Sequence, residues 1–208
     1  MRSAVADAFP RFTATYEGRV GWCYRDVKGL VTTGAGNLID PIGTAMVLPW
    51  QVDGLPASDQ QIVEGWEAVK AMPAGLLAAR YASATPAIRL TSDAIDELVR
   101  VKLAENDDVI RSRFAEWDAL PADAQLAVHS LAWACGPYFS FPRLALALDA
   151  QDFATCAIEC QMDATGNPGL VPRNAANRAL FLAAQQSKEE GRDFGPIYGW
   201  PCSAPAAR

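Results

Sequence analysis

The chain has only one histidine, His129, in 208 residues. A zinc centre draws on histidine and cysteine at short fixed spacings. The five cysteines (Cys23, Cys135, Cys156, Cys160 and Cys202) match no such spacing. The sequence therefore calls for no metal and no cofactor. Positive charge is also short. There are 18 lysines and arginines against 24 aspartates and glutamates, a formal net charge of −6 and a sequence pI near 4.8. That balance excludes a general nucleic-acid binder, which needs a basic surface, and gives no steering toward an anionic polymer. No apolar run has the length to span a bilayer, which excludes stable membrane insertion. Residues 1–10 lack the apolar core of a signal peptide. Internal repeats and low-complexity stretches are absent too. An odd number of cysteines leaves at least one thiol unpaired in a monomer, and buried free thiols are the expectation. Cys156 and Cys160 lie one helical turn apart, where a disulfide would be strained and would constrain little.

What is present is ordinary globular composition, 50% hydrophobic and 20% charged. Its length suits one domain with a sizeable core, or two lobes sharing one. Val5, Ala8, Phe9, Phe12 and Tyr16 step by three or four and predict a helix over 4–16 with one face inward. Pro10 offers a later start, and Gly18 ends it. Trp22-Cys23-Tyr24-Arg25 and Leu30-Val31-Thr32-Thr33 read as strands joined by a turn at Asp26-Val27-Lys28-Gly29. Gly34-Ala35-Gly36-Asn37 permits another bend. Residues 40–56, with Pro41, Pro49, Gly54 and Pro56 around Trp50, read as an irregular excursion. Ser58-Asp59 opens a helix with Ile62, Trp66, Val69 and Lys70 on one side, and residues 76–90 are ambiguous. Thr91-Ser92-Asp93 opens the clearest helix, buried along Ile95, Leu98, Val99, Leu103, Val109, Ile110 and Phe114. Pro121-Ala122-Asp123 opens a nearly all-apolar helix stopped by Gly136-Pro137, the expected centre of the core. Further helices are expected over 141–148, 151–162 and 172–186, with an extended tail from 196 to 208. The sum is an α+β chain read as one domain. Residues 1–57 carry a small antiparallel sheet, 58–90 connect, and 91–195 form a helical body, with a groove where sheet and body meet.

Two acids stand in different local settings. Glu17 ends an apolar helix and precedes aromatics, so it is expected to be partly desolvated and protonated more readily. Asp26, nine positions later in a turn, is expected to stay hydrated and ionised. Thr32 follows six positions beyond, in a strand closed by two glycines. A protonated and an ionised carboxyl group side by side are what glycoside hydrolysis needs.

Glu17, Asp26 and Thr32, with Tyr24 and Gly34-Ala35-Gly36, resemble the catalytic segment of the phage-type lysozymes, glycoside hydrolase family 24. The stretch Gly169-Leu170-Val171-Pro172-Arg173-Asn174-Ala175-Ala176-Asn177-Arg178-Ala179-Leu180-Phe181 is similar to that family's C-terminal pattern. Residues 90–98 and 127–136 resemble the helices of its larger lobe. There are departures: Asn37 stands where many relatives have histidine, Asn174 and Asn177 replace an arginine and a glutamate, and residues 38–90 do not align. The resemblance implies a lysozyme-like fold and an inverting muramidase. It would cut the β-1,4 bond between N-acetylmuramic acid and N-acetylglucosamine of bacterial peptidoglycan. Glu17 would protonate the leaving oxygen, while Asp26 and the Thr32 hydroxyl hold the attacking water. No metal is needed. Arg173 matches an arginine that sits near the catalytic glutamate. Tyr24, Asn37, Trp50, Arg173 and Asn174 are the expected substrate contacts, with Trp50 either stacking on a sugar or packing inside. The protein is expected to be a monomer made in the cytoplasm that reaches the wall through phage or effector machinery. Two other readings stay open: a catalytically weak wall-binding or virion protein that keeps the fold, and a glycosidase of another aminosugar polymer such as chitosan. His129, inside an apolar helix, reads as a core residue.

Overall fold

The computed structural model describes residues 1–26 and 28–201. Val27 of the first turn, Cys202 and the last part of the expected tail lie outside the described residues. The chain is mixed α+β with a small antiparallel sheet. It divides into two units, one of Glu17–Val99 and one of Met1–Tyr16 with residues 100 onward. The divisions fall inside α1 (Ser3–Glu17) and α4 (Ser92–Arg113), so the stretch expected as a connector, 58–90, belongs with the sheet.

In the sheet unit, β1 (Val20–Arg25), β2 (Val31–Gly34) and β3 (Asn37–Leu38) pair antiparallel in chain order. Tyr24 pairs with Thr32 and Val20 with Gly34, so β1 carries extra residues between those pairs. The Thr33 hydroxyl donates to the Val20 and Trp22 carbonyls in that irregular stretch, at 3.3 and 3.1 Å. The expected irregular excursion is more ordered than its prolines suggested. It holds α2 (Ile42–Met46) and a two-residue hairpin of β4 (Gln51–Val52) and β5 (Leu55–Pro56), closed by Asp53 and Gly54 in left-handed backbone. α3 (Asp59–Ala71) begins at a capping box, Ser58 accepting from the Gln61 N–H while Gln61 answers to the Ser58 N–H. It buries Ile62, Trp66 and Val69 as expected. Asp40 ties this helix to the strands, accepting from the Val31 N–H at 3.1 Å and pairing with Lys70. The ambiguous stretch 76–90 contains a 3₁₀ turn, Ala78–Ser83, packed on β1.

In the helical unit, α5 (Ala122–Cys135) is buried at every residue from 122 to 132 and ends at Gly136, φ +84°. It packs on α8 (Leu170–Glu190), which in turn packs on α7 (Phe153–Glu159), and α6 (Pro142–Asp149) packs on α7. α1 runs unbroken through Pro10, whose ring is buried beside Phe9 and Phe12, so the later start that Pro10 offered is not used. Phe9 meets the rings of His129 and Trp133. Asp123 accepts from the Tyr198 and Gly199 N–H groups and so holds the segment after α8. No helix among the described residues is long and apolar enough to cross a membrane. Cys23, Cys135, Cys156 and Cys160 are free thiols.

His129 is fully buried, and its Nε2 lies 3.2 Å from Asp107, which also accepts from the Trp117 indole at 2.7 Å and from Arg111 at 2.9 Å. Burial pushes the His129 pKa down, against the pull of Asp107. Burial pushes Asp107 up, but bonds from His129, the Met1 amine, Trp117 and Arg111 outweigh it and hold the carboxyl well below its usual range. Both shifts make acid destabilising. As pH falls below about 6.5, the unfolded chain protonates its histidine first and stability drops. The Asp107 contribution is complete above about pH 4 and is lost as pH falls from there toward the folded value. Melting temperature followed from about pH 8 to pH 3 will therefore decline in two stages, and His129→Gln will remove the upper one. A variant that keeps the upper stage would assign it to another group.

Candidate functional site

Three local devices bring Glu17, Asp26 and Thr32 to the small sheet. α1 stops at Glu17 because Gly18 turns left-handed, φ +72°. The Glu17 carboxylate then sits over the β2–β3 hairpin tip, where a Cβ placed on Gly36 would be 3.8 Å from its Oε2. Asp26 follows β1 and caps its own turn. Its Oδ1 accepts from the Lys28 and Leu30 N–H groups at 2.9 and 2.8 Å, which fixes the carboxylate without using Oδ2. Gly29 completes the turn at φ +78°, and a Cβ there would lie 2.8 Å from Arg25 Nη2.

Thr32 stands in the central strand, opposite Tyr24 on one side and Leu38 on the other. Directly opposed residues share a sheet face, so Tyr24, Thr32 and Leu38 form one row. Alternation puts Cys23 and Val31 on the other face, in the core. The Thr32 hydroxyl donates to the Leu30 carbonyl at 3.5 Å, a long bond that leaves it able to make a better one. Thr32 is 6% exposed, so most of the side chain is packed. Tyr24 registers both acids. Burial, then the charge of Glu17, then that of Asp26 push its phenol up to about 12. Its phenol stays neutral and able to donate.

The expected substrate contacts divide. Tyr24 is half-buried on the row. Asn37 spends its Oδ1 on the Ala35 N–H at 3.1 Å, closing the hairpin tip. That approach needs Gly34, where a Cβ would lie 2.7 Å from the same oxygen. Trp50 corrects the surface alternative: it is 2% exposed, packs with Ile39, Ala45 and Trp66, and donates its indole N–H to the Ala45 carbonyl at 2.9 Å. It is a core residue and touches no sugar. Asn174 is a second correction. It is buried and bonds the Met162 backbone twice, accepting at 3.0 Å and donating at 2.8 Å, so it fastens α8 to the chain before it. Arg173 is a third. At 2% exposure it cannot contact a glycan directly, and its guanidinium lies 5.1 Å from the Tyr16 ring centre in the helical unit. Leu38, half exposed at the edge of the row, was not singled out in the sequence, because only strand register shows what it stands beside.

Chemically, the sheet unit offers an acid at a helix end, a fixed carboxylate with an open oxygen, a hydroxyl and a neutral phenol. Among the described residues no three His, Cys, Asp or Glu side chains gather closely enough to hold a metal ion. No protein-family model matches the chain, and comparison with the curated proteins and with the solved structures finds no match.

Proposed function

We propose that the protein is a lysozyme-like muramidase that hydrolyses the β-1,4 bond between N-acetylmuramic acid and N-acetylglucosamine in bacterial peptidoglycan, with inversion. The observation that carries this reading is the placement of Glu17 over the hairpin tip of the small sheet that also carries Thr32, with the Asp26 carboxylate fixed in the turn between its first two strands. Two carboxyl groups on one small sheet, reached from a helix end and a turn, suit acid and base work on opposite sides of a sugar ring. Glu17 gives its proton to the leaving oxygen. Asp26 takes a proton from water through Oδ2, since Oδ1 is engaged by two backbone N–H groups. The Thr32 hydroxyl completes the water's hydrogen bonds. The water attacks the anomeric carbon as the C–O bond breaks, and the two protons end on the leaving sugar and on Asp26.

The protein acts as a monomer, without cofactor, on the cell wall, after release from the cytoplasm by phage or effector machinery. The net charge of −6 favours a cationic polymer over an anionic one, which keeps chitosan as the second reading. Product analysis separates them. Purified murein incubated with the protein will gain N-acetylmuramic acid reducing ends, released first as the α anomer, and chitosan oligomers will stay intact. Cleavage of chitosan alone would favour the second reading. No cleavage of either would make the protein a wall-binding or virion component.

A further inference from the structure

In the helical unit, α8 and the segment that precedes it border a cavity of about 540 Å³, within the size range of small-ligand sites. Its apolar lining is small: Ala164 and Val171 where α8 begins, then Ala175 and Leu182 along α8. Three polar side chains stand among them: Asn174, which is spent on the Met162 backbone, Gln161 and Arg178. Arg178 is exposed and makes no hydrogen bond or ion pair among the described residues. Other arginines of this acidic chain are engaged. Arg19 pairs with Asp96, Arg111 with Asp107 and Asp118, and Arg192 with Glu190. The Arg178 guanidinium keeps its donors free at the edge of an apolar cavity.

A guanidinium offers a planar fork of donors that matches a carboxylate. Alanine, valine and leucine walls match a short aliphatic body. Gln161 donates Nε2 to the Cys160 sulfur at 3.6 Å, which leaves its Oε1 as an acceptor for an amide N–H. We propose that this cavity binds the carboxylate end of a peptide with small apolar side chains. Arg178 pairs with the terminal carboxylate and Gln161 accepts from the last amide. The site is separate from the carboxylate row of the sheet unit and does not rest on the glycosidase reading.

The test titrates the isotope-labelled full chain with N-acetyl-Ala-Ala and with its C-terminal amide, each as the L,L and the D,D form, followed by NMR. The acid will shift resonances of Gln161, Ala175, Arg178 and Leu182, with a Kd of about 1 mM, as suits an open site and a ligand this small. The amide will bind about tenfold more weakly, having no charge for the guanidinium. In Arg178→Gln that preference will vanish. In Ala175→Leu, which fills the cavity and keeps the charge, neither ligand will bind. Both positions are exposed, so both variants will melt as wild type does. Tighter binding of the D,D form identifies a wall peptide as the source, and tighter binding of the L,L form a protein C-terminus. Equal affinity of acid and amide in the wild type, a preference that survives Arg178→Gln, or shifts that map elsewhere would overturn the proposal.

Discussion

Glu17→Gln will cut murein hydrolysis by about 10²–10⁴-fold, the usual scale for a general acid, and leave the melting temperature where it is. The amide keeps the shape and the hydrogen-bonding reach of the acid but has no proton to transfer. Glu17 lies at the last residue of α1, where Gly18 already ends the helix, so the exchange alters no cap. The hairpin tip beside it is held by Asn37 and by the glycines at 34 and 36. Initial rates of reducing-end release, taken beside circular-dichroism melts, check this. A variant with native melting and wild-type rate would remove Glu17 from the chemistry and the proposed function with it.

Trp50→Ala will cost about 3–5 kcal/mol of stability, the range for emptying a buried aromatic site, and will leave glycan binding per folded molecule unchanged. The indole belongs to the core cluster that includes Ile39, Ala45 and Trp66, and its N–H donates to the Ala45 carbonyl where the chain leaves α2. Truncation opens a cavity and leaves that carbonyl to backbone donors such as the Leu48 N–H. Trp50→Phe will recover part of the loss, since it restores packing and not the hydrogen bond. Urea unfolding of both variants beside a chitooligosaccharide titration measures it. A stability change within about 0.5 kcal/mol, with weakened binding, would mean the side chain faces solvent.

The helix punctuation was legible in the sequence because it is local. Ser58 with Gln61, Thr91 with the Ala94 N–H, and the glycines at 18 and 136 act on backbone groups within a few residues. The all-apolar run that became α5 was equally plain, since only a core accepts such a helix. The excursion was harder. Prolines at 41, 49 and 56 signalled irregularity, but they are compatible with the short helix and hairpin that Trp50 and Trp66 organise through long-range packing.

The same division runs through the site. Sequence by itself determined the acids, their spacing and the turn chemistry that fixes Asp26, because an aspartate accepting from N–H groups two and four residues on needs no distant partner. It also determined the period-two alternation that sets Tyr24 apart from Cys23. Only the tertiary structure decided which residues stand beside them. Strand register put Thr32 between Tyr24 and Leu38. Packing took Trp50 and Arg173 out of solvent, and the Met162 backbone took up the Asn174 amide. A tryptophan, an arginine and an asparagine are each at home both at a sugar and in a core, and the hydrogen-bond partner lies 5 residues away for Trp50 and 12 for Asn174. Residue type states what a side chain is able to bond. The folded chain states what is left within reach.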